Sequence, residues 1–115
     1  MSKYTTDHRI SLQEAINMTT LYRANRPSNF PVCETFELAS IQSLINHPQA
    51  DFFRIYYGMK QDGTVHAILV VADSNGNDLL PSESNTLETD DGNEILEDSI
   101  RCPNTCPPES PLNQP

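Results

Sequence analysis

The sequence has no tryptophan, four glycines, and seven lysines and arginines against sixteen carboxylates. Each shortage excludes something. With so little glycine and no glycine-rich segment, there is no loop to cradle phosphates and nothing supports a nucleotide fold. A net charge of −9 opposes polyanions, whose binding relies on clustered Lys and Arg releasing counterions, so no nucleic acid partner is expected. No run approaches the ~18 consecutive apolar residues of a membrane span. The opening Met-Ser-Lys-Tyr-Thr-Thr-Asp-His-Arg also lacks the apolar region of a signal peptide. No membrane partner and a cytoplasmic location are therefore expected. Three cysteines form an odd set, which argues against a closed disulfide framework and fits free thiols in a reducing compartment.

What the sequence does contain is unevenly distributed. Asp73 to Asp98 carries nine carboxylates and no base, while residues 1–72 balance six acids against six bases, and Arg101 offsets Glu109. The acidity is thus local. With 37% hydrophobic residues and nine prolines, the composition predicts one small core within residues 10–80 and a polar remainder. We assign residues 1–101 to a single domain, with an acidic mobile loop at about 82–93, and residues 102–115 to a Pro/Cys-rich tail.

Ser11-Leu12-Gln13-Glu14 is a capping box, in which the hydroxyl and the carboxylate each satisfy the other residue's backbone N–H. It predicts a helix over 12–25, with Leu12, Ala15, Ile16, Thr19 and Tyr22 on one side and Pro27 beyond its end. Ile41, Leu44 and Ile45 predict a second helix over 37–46, which Pro48 limits. Residues 27–35 read as loop. The aromatic and β-branched run 52–60 and the apolar run 65–72 read as a hairpin about Asp62-Gly63. The second strand is apolar on both faces and should be covered on each. Asn75-Gly76 predicts another tight turn and a third strand near 77–80, and 94–100 a short fourth strand or helical turn. The fold class is α+β: two helices on one face of a three- or four-stranded antiparallel meander. Because two short helices do not suffice to cover both faces, a homodimer is expected.

The chemical candidates are few. Cys102 and Cys106 suit a knuckle or a disulfide, and Cys33 with one of His8, His47 or His66 could complete a zinc set, although the tail alone offers two ligands where zinc usually takes four. Cys33 as a nucleophile is disfavoured by Glu34, whose charge raises a neighbouring thiol's pKa. Asp73 to Asp78 alternates oxygen ligands but has its Gly at the fourth position and Ser84 at the twelfth, which fails the calcium-loop pattern. Arg54, sharing a strand face with Tyr56, could clamp a partner's carboxylate or form an internal salt bridge. Arg23, Arg26, Asp90 and Asp91 complete the charged candidates for an interaction surface. No paired acid and base stands at a catalytic spacing, so the reading is a non-enzymatic interaction or regulatory module. The alternative is a metal-binding or thiol-redox-responsive protein using Cys33, Cys102 and Cys106.

Taken together, the segments Ile16 to Arg23, Arg54 to Gly58 with Asp62-Gly63, Asp73 to Asp78, and Cys102-Pro103 to Asn113 resemble a family of small uncharacterised bacterial proteins of Bacteroidetes type, with a C-terminal Cys-Pro-x-x-Cys tail. The resemblance implies no activity and no site residue. It does imply that Cys102, Cys106 and the ending Ser-Pro-Leu-Asn are part of the design.

Overall fold

The computed structural model describes residues 7–81 and 93–114. Its elements are α1 (Leu12–Asn25), β1 (Cys33–Thr35), α2 (Leu38–Ile45), β2 (Phe52–Met59), β3 (Val65–Ala72) and β4 (Ile100–Cys102). The class is α+β, and no helix among the described residues is long and apolar enough to cross a membrane. The capping box forms as read: Glu14 N–H donates to Ser11 Oγ at 3.0 Å and Ser11 N–H to Glu14 Oε1 at 3.1 Å. α2 follows Glu37 as N-cap and buries Leu44.

β2 and β3 pair antiparallel in register from Phe52↔Ala72 to Met59↔Val65. Their connection runs from Lys60 to Thr64: Gly63 N–H bonds Lys60 O and Lys60 N–H bonds Thr64 O. Gly63 takes a φ of 89°, and Asp62 holds the turn by accepting from the N–H and hydroxyl of Thr64. Only the glycine occupies the left-handed region. The turn at Asp73 to Asn77 repeats the pattern, with Gly76 at φ 88° and the Asp73 carboxylate accepting from the N–H groups of Asn75 and Asn77.

The expected three- or four-stranded meander is replaced by two separate two-stranded sheets, β2–β3 and β1–β4. The third strand near 77–80 shrinks to one bridge, Ala72↔Asp78, and the fourth contributes the bridge Leu69↔Leu96 before reaching β4. The physical reason lies in how the free edge of β3 is satisfied. Val65 N–H donates to Asn29 O, and Leu69 exchanges both backbone bonds with Leu96. Leu79 N–H reaches Val71 O, and Asp73 N–H reaches Asn77 O. Ala67 N–H donates to the Glu34 carboxylate, and Val65 O accepts from Arg101. Loops and two side chains thus do what a neighbouring strand would do, since buried backbone groups must be paired by some means.

The core is centred on Leu44, Leu69 and Val71, with Phe36, Ile41, Ala50, Ala67, Leu79 and Leu96 packed around them. Val70 and Ala72, on the other face of β3, are also buried, as two-sided apolar patterning required. The two helices are buried unequally. α2 packs on β3, whereas α1 buries none of its residues fully and leaves Leu12, Met18 and Leu21 largely exposed. One polar link runs to the tail, where Arg23 donates to Leu112 O at 2.6 Å. β4 runs across the boundary that composition placed at residue 101. The tail beyond is turned rather than extended, with Asn113 and Gln114 N–H groups bonding Ser110 O.

Candidate functional site

The alternation of β2 sets Phe53, Ile55, Tyr57 and Met59 on one face, the same face as their cross-strand partners Val71, Leu69, Ala67 and Val65. The β3 partners reach the core, but the β2 residues do not: Phe53 and Ile55 are 46% exposed and Tyr57 is 76% exposed. Toward the hairpin end this face becomes one wall of an open, apolar groove of about 680 Å³. The opposite wall is Tyr22, Phe30, Pro31 and Val32, with Cys33, Glu34 and Val65 completing the lining. That volume lies within the roughly 300–1,000 Å³ range of binding clefts.

Polar contacts position the far wall. Tyr22 Oη donates to Pro31 O at 2.5 Å and Arg26 donates to Phe30 O, so the end of α1 fixes the following loop. Asn29 fastens that loop to the hairpin, donating from Nδ2 to Gly63 O at 2.9 Å and accepting from Val65 N–H. Burial raises the pKa of the Tyr22 phenol. The Cys33 thiol is raised too, first by burial and then by the negative charge of Glu34.

Glu34 is the main polar junction below the groove. One carboxylate oxygen accepts from Ala67 N–H at 3.0 Å; the other accepts from the Ser99 hydroxyl at 2.7 Å and lies 3.4 Å from Arg101 Nη1. Both side chains are well covered, at 11% and 18% exposure. The carboxylate therefore joins β1, β3 and β4.

The charged candidates are distributed elsewhere. Arg54 and Tyr56 lie on the opposite face of β2 from the groove and both hold Asp78: Arg54 Nη1 lies 2.5 Å from one carboxylate oxygen and Tyr56 Oη 2.5 Å from the other. Arg54 also donates to Gly76 O. The hydrogen bond from Tyr56, then the Arg54 guanidinium, holds the Asp78 carboxyl below its ordinary range. Of the two roles weighed for Arg54, the internal salt bridge is the one formed. Arg23 and Arg26 serve main-chain oxygens of the tail and the 27–30 loop. Asp90 and Asp91 lie outside the described residues.

Other acids of the 73–98 stretch are also engaged. Glu94 accepts from Ser43, and Glu97 lies 3.6 Å from Lys60 Nζ. His66, buried in β3, contacts Thr64 Oγ1 at 2.8 Å. Its Nδ1 stands 3.1 Å from Glu97 Oε2, at an angle unsuited to a hydrogen bond.

Cys102 and Cys106 are joined in a disulfide, and Cys33 is free. This corrects the expectation of free thiols: an odd count forbids complete pairing but not one pair beside one thiol. It also removes the cysteine argument for a reducing compartment. The zinc set of Cys33, Cys102 and Cys106 is not assembled, because the disulfide uses two of its sulfurs. Among the described residues no group of three or more His, Cys, Asp or Glu is placed to hold a metal.

The sequence places Tyr22 on the apolar side of α1 and Glu34 beside Cys33, and it singles out neither Phe30 nor Met59 as a site residue. The density of aromatics in 52–57 was the available signal for the groove; nothing local signalled Glu34. No protein-family model, curated protein or solved structure matches the chain.

Proposed function

We propose that the chain is a non-enzymatic interaction module that receives an extended, apolar segment of a protein partner along β2. The observation carrying this reading is the exposed alternating row Phe53, Ile55, Tyr57 and Met59, which leads into the groove. Lys60 N–H bonds Thr64 O in the hairpin, so even-numbered residues of β2 turn their main-chain groups to β3 and odd-numbered ones to the free edge. Among the described residues no strand pairs with that edge. An incoming strand would gain main-chain bonds there and place alternate side chains on the apolar row, the mode by which peptides extend a sheet. An aromatic side chain near the hairpin end suits the space between Tyr22 and Tyr57.

The row also supports the homodimer as a second reading. It is symmetric about Tyr56, so two antiparallel copies of β2 would set Phe53 against Met59 and Ile55 against Tyr57 with no like charges opposed. Selection of displayed random peptides against the purified protein is expected to enrich segments with alternating apolar residues. Ile55→Pro, which removes an N–H aimed at the free edge, should abolish their binding while the hairpin amides stay protected. Peptides without alternation, or binding indifferent to Ile55→Pro, would sink the reading. Light scattering on the same sample distinguishes the second copy, as a dimer lost in Ile55→Pro.

A further inference from the structure

We infer that Cys33 and the Cys102–Cys106 disulfide form an exchange trio, in which the thiol in the groove can displace Cys106 and take Cys102 as its own partner. The inference does not depend on the docking reading; it rests on register. β1 and β4 pair antiparallel with Cys33 directly opposite Cys102. Residues paired in this way hold their Cα atoms roughly 4.5–5.5 Å apart with side chains on one face, inside the 4.4–6.8 Å range that admits a disulfide. The one free cysteine therefore stands beside a sulfur that is already half of a disulfide. Glu34↔Arg101 and Thr35↔Ile100 continue the pairing, so the approach needs no rearrangement of the strands.

The chemistry balances without an outside oxidant or reductant. Cys33, deprotonated, attacks Cys102 Sγ; the Cys33–Cys102 bond forms as the Cys102–Cys106 bond breaks. The electron pair leaves on Cys106 Sγ, and the proton given up by Cys33 is taken up there through solvent. Cys102 is buried and Cys106 exposed, so the central sulfur stays within the fold and the leaving thiolate faces water, which favours its departure. Exchange removes the thiol from the groove lining and unties residues 103–106. The chain that follows then depends on contacts such as Arg23 to Leu112 O to stay on α1.

The burial and the Glu34 charge that raise the Cys33 thiol keep its thiolate scarce near neutrality, so the exchange is slow there. Below the thiol's pKa its rate should rise about tenfold per pH unit. The test is peptide mapping after the folded full-length protein is incubated at pH 8.5 and then alkylated under acidic, non-reducing conditions. The expected result is two populations, one labelled on Cys33 and one on Cys106, with the Cys106 label accumulating faster at higher pH. In Cys33→Ser that label should vanish, because the attacking group is gone. Cys106→Ala, oxidised with glutathione disulfide, should lose two hydrogens in mass and yield a Cys33–Cys102 linked peptide pair. Labelling confined to Cys33 in the unmodified chain would overturn the inference, as would a Cys106 label that persists in Cys33→Ser.

Discussion

β2 and β3 are bonded along eight residue pairs and are both rich in apolar side chains, yet one is buried along most of its length and the other is largely exposed. The difference lies in what stands on their other sides. The outer edge of β3 is taken up by Asn29, Glu34, Leu96, Asn77 and Leu79, and α2 covers its core face. Among the described residues no strand borders the other edge of β2. Apolar content therefore marks a strand that can be buried; the neighbours decide whether it is. A strand left exposed at this level of hydrophobicity is the kind of edge that proteins normally blunt.

Ile55 and Leu69 face each other across the hairpin, so truncating each in turn contrasts the open strand with the covered one. Leu69→Ala should lower unfolding stability by about 2–5 kcal/mol, as expected for a leucine removed from a closed core. Ile55→Ala should cost less than about 1 kcal/mol, because the side chain is already half in water. Urea denaturation of both variants decides it, and equal losses would mean that β2 is covered in solution. Next in size is Glu34→Ala, which leaves Ala67 N–H and Arg101 without their carboxylate and should cost about 3 kcal/mol. Exchange of the Ala67 amide should accelerate more than that of amides bonded to β2.

How far the molecule was legible depends on the distance over which each contact acts. The Ser11–Glu14 cap, the Asp62-Gly63 and Asn75-Gly76 turns, α2 between Glu37 and Pro48, and the two-sided burial of β3 all follow from residues within a few positions of one another, and local sequence carries that information. Glu34 instead meets partners 33 to 67 residues away, and no spacing announces such a junction. The stripe on α1 predicted a buried side but could not say against what: Ile16 lies beside the tail, whereas Tyr22 meets the loop at Pro31. Arg54 was recognised as a clamp with either an internal or an external carboxylate; only the folded path of residues 73–78 supplies Asp78.

The smallest effect concerns the face of β2 opposite the groove. Because Asp78 has its pKa lowered by Tyr56 and then Arg54, its contribution is fully present above the unfolded carboxylate range and is lost as pH falls through the lower folded value. That places the loss below about pH 4. Arg54→Met should leave a folded protein whose acid unfolding begins at higher pH, with faster exchange at Leu79 N–H as the 73–79 turn loosens. Asp62, held low mainly by its hydrogen bonds from Thr64 within its own turn, should titrate unchanged and serve as an internal control in a carboxyl-resolved NMR titration. Coincident acid unfolding of the variant and the parent would show that the clamp contributes nothing measurable.

The Glu34 junction has a consequence for the integrity of the molecule. Residues 33–35, 65–67 and 99–101 converge on a single carboxylate, so the covalent path through residues 82–92 is only one of the connections between the hairpin and β4. A cut there would divide the sequence without dividing the assembly. Leu96 would remain bonded to Leu69, Arg101 to Val65, and Ile100–Cys102 to Cys33–Thr35. The fold is closed as a circuit as well as a chain, with a half-buried ion pair as its clasp.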